Sequence, residues 1–293
     1  MNCFILLGGL FLFWVNGGLS SPPFPSAAQI YGSLERQHYV AVPFSYDHHF
    51  LDKAMQSFFQ FLNLPDTTKN RLRTSLSSKH RRGDLGFTYR QKSEGHTYND
   101  QKSFFHYHPK LKEMHAKEIE ADPVLKDFIE RADKIWHAAY FATEKVLSRL
   151  EPYYPGIHAK VFKTDTPHIV LRFLRYDIRT PGKYLAKPHY DAGSMTLALA
   201  ESGPGLRIGS CPADLQHIAH HDHQAVFFLG ANTPQLINPG ALKAGWHDVV
   251  QVGAKPHDNT YARWAIVAFI DGHDVEGAPE SLTHKWRVEE RFL

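Results

Sequence analysis

The sequence predicts a mainly β protein with N-terminal helices, its jelly-roll core backed by one long helix. Three observations predict it. After Pro155 the chain breaks into short β-rich runs: Ile169 to Ile178, Ser194 to Ala200, Leu206 to Ile208, Gln224 to Leu229, Gln235 to Ile237, His247 to Val252 and Arg263 to Ile270. Turn signals such as Thr180-Pro181-Gly182, Ser202-Gly203-Pro204-Gly205 and Asn238-Pro239-Gly240 separate these runs, and many short, evenly spaced strands imply a sandwich or barrel. Ahead of them lies one long stretch of helical periodicity. The composition, 43% apolar and 22% charged over 293 residues, is that of a globular chain.

The elements follow in order. Cys3 to Val15 is an apolar run of 13 residues, too short for the roughly 20 that a spanning helix needs. It fits the core of a signal peptide over residues 1–20, with Gly18-Leu19-Ser20 as a small-residue cleavage site, although no Lys or Arg precedes it. Ser21-Pro22-Pro23-Phe24-Pro25 reads as a linker. His38 to Pro43 reads as a short strand, and Leu51 to Leu64 as a helix with apolar residues at helical spacing. Residues 80–110, rich in Gly, Arg, Lys, Asn and Asp, read as a long connection. From Asp122 to Leu150 the signal is clearest. Asp122 is an N-cap, Pro123 takes the first helical position, and Leu125, Phe128, Ile129, Ala132, Ile135, Trp136, Ala139, Val146, Leu147 and Leu150 form one stripe. The organisation expected is a signal-like segment (1–25), a helical region (26–155) packed on a β core (156–271), and a tail (272–293).

Charge and cysteine usage exclude several classes. The net charge of +3 is small and spread out, which gives no footing for nucleic-acid binding. Only Cys3 and Cys211 are present, so the mature chain has neither a disulfide framework nor a thiolate metal cluster. No apolar stretch is long enough for stable membrane insertion. Histidine is the outlier, with 20 residues, and suggests a metal without locating it.

Lys187-Pro188-His189-Tyr190-Asp191-Ala192-Gly193 carries the chemistry. Residues i and i+2 of a strand share a face, so His189 and Asp191 aim an imidazole and a carboxylate into one cavity. His247 is the best placed third ligand: it opens a strand 58 residues on, far enough for several intervening strands. Two His and one carboxylate on one side of a divalent ion leave sites open, the facial triad of non-haem Fe(II) oxygenases. A second His-x-Asp, His220-His221-Asp222, lies in the His-rich tract 217–223 and reads as a polar hairpin turn. Arg263 begins an otherwise apolar strand. Either a dicarboxylate meets its planar fork or a salt bridge at the barrel rim does.

From Ile169 to Ile270 the chain resembles the isopenicillin-N-synthase-like group of Fe(II)- and 2-oxoglutarate-dependent oxygenases. The ordered series is Leu171-Arg172-Phe173-Leu174-Arg175-Tyr176, the His189 to Leu197 run, Pro204-Gly205-Leu206-Arg207, Phe228-Leu229-Gly230-Ala231, Asn238-Pro239-Gly240 leading to His247, and Arg263-Trp264-Ala265-Ile266. A looser match covers Phe58-Phe59 and Gln101-Lys102-Ser103-Phe104-Phe105. The resemblance implies a double-stranded β-helix with His189, Asp191 and His247 on Fe(2+). It implies Arg263 on the remote carboxylate of 2-oxoglutarate as cosubstrate, Tyr176 contacting the cosubstrate, and ascorbate as an accessory reductant. The family's usual Arg-x-Ser reads Arg263-Trp264-Ala265 here, so a hydroxyl that helps hold the carboxylate is absent.

The function expected is oxidation of a small molecule by dioxygen, with succinate and CO2 as coproducts, in a monomer. Reduced iron favours a cytoplasmic setting; the alternative is export by residues 1–20. Two other readings stand beside it: an iron oxidase of the same fold that does not use 2-oxoglutarate, and a non-catalytic jelly-roll binding protein. Arg90, Tyr98, Tyr107 and Arg172 are candidate substrate contacts, and Gly83 to Pro109 and Gly272 to Leu293 are candidate covers for the cavity mouth.

Overall fold

The computed structural model describes residues 23–76, 84–90, 101–177, 184–252 and 261–275. The signal-like segment over residues 1–20, the Thr180-Pro181-Gly182 turn, Tyr98, the side chain of Arg90 and the tail beyond Val275 lie outside what is described.

The chain opens with α1 (Ala27–Gln37), β1 (Tyr39–Pro43), α2 (His48–Leu62) and α3 (Asp66–Arg71). Strands β2 (Thr74–Ser75), β3 (Asp84–Arg90) and β4 (Lys102–Tyr107) follow, then α4 (Pro109–Met114), α5 (Ala116–Ala121), α6 (Pro123–Leu150) and α7 (Ile157–Val161). The remaining strands are β5 (Ile169–Asp177), β6 (Tyr184–His189), β7 (Met195–Glu201), β8 (Leu206–Gly209), β9 (Gln216–His217), β10 (Gln224–Leu229), β11 (Trp246–Val250) and β12 (Tyr261–Ile270), with α8 (Thr233–Leu236) after β10.

The long helix starts where its cap places it. Asp122 Oδ1 accepts from the amides of Val124 and Leu125, at 2.9 and 3.1 Å, and Pro123 needs no donor partner there. Its apolar stripe is buried from Leu125 to Leu150. In α2, Asp47 caps by accepting from the Phe50 amide at 2.8 Å.

Two sheets carry the rest, and their strand pairings are antiparallel. The larger runs β1-β10-β7-β12-β5-β4-β3-β2 and the smaller β6-β11-β8-β9. From β5 onward the chain passes back and forth between them, except that β8 and β9 are neighbours in the small sheet. Several stretches differ from the sequence reading, among them β6 and β9, which lie outside the β-rich runs it picked out. Residues 80–110 are not simply a connection, because β3 and β4 extend the large sheet beyond β5. All six residues of β4 are buried, with Phe105 on the helix side and Phe104 between the sheets. Gln235 to Ile237 is not a strand: Pro234 in the first turn sets a helical φ, and the Thr233 hydroxyl reaches the Ser194 and Gly230 carbonyls, making α8.

Burial falls into two clusters. One lies between the large sheet and α2 and α6, with Phe58, Phe61, Phe105, Phe128 and Phe173 at its centre. The other lies between the sheets and is smaller, with Leu174, Leu185, Ala198, Leu206, Ile208, Phe228, Val249 and Ala265. Among the described residues no helix is long and apolar enough to cross a membrane.

Candidate metal centre

The inter-sheet cluster is incomplete, and its gap is a cavity of about 660 Å³ counting its open mouth. Strand β6 delivers His189 at its last residue, and β11 places His247 directly opposite in the pairing register. Asp191 lies two residues beyond β6, in a loop and not on the strand itself. Backbone bonds from Gly230, Ala231 and Asn232 to the carbonyls of Ser194, Asp191 and Gly193 fasten that loop. Gly230 is obligatory there, because a Cβ would stand 2.2 Å from the Gly193 carbonyl oxygen.

The three side chains converge. His189 Nε2 is 3.9 Å from Asp191 Oδ1, and His247 Nε2 is 3.7 Å from Asp191 Oδ2. One ligand atom from each residue lies within 4.8 Å of the others. Their tautomers follow from their second nitrogens. His189 Nδ1 donates to the Lys187 carbonyl at 2.6 Å, and His247 Nδ1 to the Gly245 carbonyl at 3.0 Å. A carbonyl only accepts, so both protons sit on Nδ1 and both Nε2 lone pairs face the gap. Burial, aided by the neighbouring His247, pushes His189 down to about 3, so it is neutral and able to ligate at physiological pH. The Thr196 hydroxyl donates to Asp191 Oδ2 at 2.7 Å and fixes the carboxylate. Two imidazoles and a carboxylate so held fit a divalent ion of the iron(II) type.

Tyr176 and Arg263 line the same cavity and pair with each other across β5 and β12. Arg263 is 5% exposed, and burial pushes it down to about 10, which leaves it a cation at neutral pH. Its Nε donates to the Gly203 carbonyl at 3.2 Å, and its Nη2 is ion-paired with Glu201. Both sequence readings of Arg263 thus meet at one place: it faces the cavity, and a salt bridge already holds it. Arg263 and Tyr176 are a cation and a hydroxyl suited to the far carboxylate of a dicarboxylate, while Glu201 sits on the same cation and Ala265 adds no hydroxyl.

Other histidines sort by contact. The tract 217–223 is not wholly a polar turn. His217, His221 and Asp222 are exposed, but His220 turns inward, with Nδ1 3.3 Å from Glu201 Oε1. Asp222 accepts from the His48 amide and, among the described residues, joins no metal group. His106 accepts from Arg172 Nε at 2.8 Å, and His108 packs on Trp136. Arg172 also lines the cavity, its guanidinium 4.7 Å from the rings of both Phe104 and Phe269. Tyr107 faces α6 instead, where its hydroxyl donates to Asp133 at 2.6 Å.

Sequence reasoning missed Glu201. It falls between the run Ser194 to Ala200 and the turn at Ser202, and only the register that sets it opposite Ala265 brings it to Arg263. The positioning roles of Thr196 and Gly230 were missed too, though the small-residue pattern from Gly230 to Ala231 was a signal of close approach.

No protein-family model matches the sequence, and no curated protein matches it. Solved structures do. A full-length protein of Neurospora crassa, in complex with alpha-KG, is 17% identical, with 84% of this chain and 78% of that one covered and a TM-score of 0.62. JOX2, in complex with 2OG, Fe and JA, is 18% identical, with 90% and 80% covered and a TM-score of 0.62. AtDAO1 of Arabidopsis thaliana, a dioxygenase for auxin oxidation bound to 2-oxoglutarate, is 18% identical, with 87% and 91% covered and a TM-score of 0.60. What the chain shares with them at these identities is its fold, that of proteins crystallised with 2-oxoglutarate and, in JOX2, with iron.

Proposed function

We propose that the chain is an Fe(II)- and 2-oxoglutarate-dependent oxygenase that hydroxylates or otherwise oxidises a small molecule, with succinate and CO2 as coproducts. The observation that carries it is the convergence of His189, Asp191 and His247 at one end of a cavity that also holds Arg263. The passage of successive strands between the two sheets supports a double-stranded β-helix over residues 156–271, with 26–155 supplying the helices that pack on it and the strands β1 to β4 that widen its large sheet. The likeness to proteins bound to 2-oxoglutarate supports the cosubstrate. A cytosolic setting, where iron stays reduced, suits the chemistry.

Iron(II) bound with a 2-oxo acid supplies the activation of dioxygen and the oxidative decarboxylation of that acid. The protein's part is positional. His189 and His247 present Nε2 because backbone carbonyls hold their Nδ1 protons. Thr196 keeps the Asp191 carboxylate turned to the imidazoles. Arg263 and Tyr176, which line the same cavity, would receive the remote end of the cosubstrate. Leu174, Leu206, Phe228 and Val249 keep the walls apolar, and Ala198, Ala200 and Ala265 keep the space open.

A second reading, an iron oxidase of this fold that does without 2-oxoglutarate, is favoured by Glu201 on Arg263 and by Ala265. One experiment separates the two. Purified, iron-loaded protein is supplied with 2-oxoglutarate and oxygen over a panel of small molecules, and succinate is measured; an anaerobic sample is scanned for a weak visible charge-transfer band. Iron-dependent succinate and the band support the oxygenase. Iron binding with neither band nor succinate refutes it in favour of the oxidase.

A further inference from the structure

The Glu201–Arg263 pair is built into the cavity from several sides. Both residues are buried, at 6% and 5% exposure. The pairing of β7 with β12 sets Glu201 opposite Ala265, whose methyl group leaves the carboxylate room to reach the guanidinium two residues away. The turn after β7 closes round the other side of Arg263. The Gly203 carbonyl accepts from Nε, and Gly205 packs so tightly that a Cβ there would lie 2.6 Å from the Val250 carbonyl oxygen and 3.2 Å from Arg263 Nε. On the far side of Glu201, His220 Nδ1 stands 3.3 Å from Oε1. Burial pushes His220 down to about 4, so it is neutral and adds no second cation to share between two carboxylates.

A dicarboxylic cosubstrate held at the metal end would bring a second carboxylate to a cation that already has one. Two carboxylates on one buried guanidinium repel strongly in a medium of low dielectric, and breaking the internal pair leaves a buried charge to be satisfied elsewhere. We infer that Glu201 is a built-in occupant of Arg263 that the remote carboxylate of a dicarboxylic 2-oxo acid must displace, and that it therefore sets this protein's selectivity among 2-oxo acids. 2-Oxoglutarate gains little here over a 2-oxo acid of the same length with an uncharged tail. The inference rests on the reading of the cavity as a 2-oxo-acid site beside iron.

The test is isothermal titration calorimetry, without oxygen, on the full chain loaded with iron(II). The two probes are 2-oxoglutarate and 2-oxopentanoate, which differ by a carboxylate in place of a methyl group. In the unaltered protein the two dissociation constants lie within about threefold of each other, because Arg263 gives no net gain beyond an ordinary exposed contact. In Glu201→Gln, which keeps the shape and removes the charge, 2-oxoglutarate tightens by at least about tenfold, the worth of a charge-assisted hydrogen-bonded pair. 2-Oxopentanoate changes by less than about threefold in that variant, since its tail makes no such pair.

A preference of the unaltered protein for 2-oxoglutarate by more than about tenfold overturns the inference and leaves the oxygenase reading intact. An unchanged 2-oxoglutarate constant in Glu201→Gln overturns it likewise. If neither acid binds the iron-loaded protein or the variant, both the inference and the reading it rests on fall. The comparison in the unaltered protein needs no variant, so it stands even if Glu201→Gln does not fold.

Discussion

The two faces of the large sheet are built for different ends. Toward α2 and α6, the strands present Phe105, Phe173, Leu197 and Ile266, all 0% exposed, against Phe58, Phe61 and Phe128. Ring centroids there stand 5.0 to 5.5 Å apart for Phe128 with Phe58, Phe61, Phe105 and Phe173. Toward the small sheet, the same strands present Thr196, Ala198, Ala200 and Ala265, with Lys102, Arg172, Glu201 and Arg263 among them. Strand β7 shows the division: Met195, Leu197 and Leu199 join the helix-side core, while Thr196 and Ala198 line the cavity; past the register shift with β12, Ala200 touches both and Glu201 lines the cavity. Because side chains alternate along a strand, one segment anchors the fold and shapes the site with separate residues. The packed face compensates for an unfilled one opposite.

Four substitutions probe that division, in falling order of consequence. Phe128→Ala, at the centre of the ring cluster, destabilises the protein by about 3–5 kcal/mol in denaturant unfolding. A loss under about 1 kcal/mol would show that the helix-side core does not anchor the sheet.

The second concerns pH. His108, buried against Trp136 with Nε2 3.2 Å from the Pro167 carbonyl, is pushed by burial down to about 4. Its folded value lies below its unfolded one of about 6.5, so the unfolded chain takes up the proton first. Stability from this residue is therefore whole above about pH 6.5 and falls as pH drops toward about 4, by about 3 kcal/mol across that window. His108→Gln flattens this part of the stability–pH curve. An unchanged slope in the variant would place the acid sensitivity elsewhere.

Third is a change on the cavity face. Thr196→Val keeps the volume but removes the donor to Asp191. Iron(II) affinity falls about 10- to 100-fold, as for other groups that orient a ligand, while unfolding in the absence of metal shifts by less than about 1 kcal/mol. Equal losses in both would mean that the hydroxyl serves the core and not the carboxylate. The smallest effect belongs to the outer side of α6, where Arg131 pairs with Asp127 at 2.9 Å in a half-exposed setting. Arg131→Ala changes stability by less than about 0.5 kcal/mol, and a larger loss would show that this solvent side also carries the fold.

Much of this division is legible in the sequence where the signal is local. Asp122, Pro123 and the apolar stripe define α6 without reference to anything else in the chain. His189 and Asp191 are two residues apart, and His247 opens a strand, so their convergence needs only one long-range pairing. Features that depend on several registers at once are not legible. Glu201 reaches Arg263 only because β7 pairs with β12 past a register shift between Ile266 and Val267. Strands β3 and β4 hide in a polar stretch because the Arg, Lys, Asn and Asp around them mask short apolar runs such as Phe104-Phe105. The helix α8 hides in an apolar run because Pro234 and the Thr233 hydroxyl outweigh its β-rich composition.

In the proposed centre, one divalent iron is held jointly by His189, Asp191 and His247. Anaerobic calorimetric titration of the full chain with iron(II), repeated on Asp191→Ala and His247→Ala, tests it most directly. One ion per chain is expected in the unaltered protein, with a loss of at least about 100-fold in affinity in each variant. Binding of the same stoichiometry and strength after either substitution would contradict it.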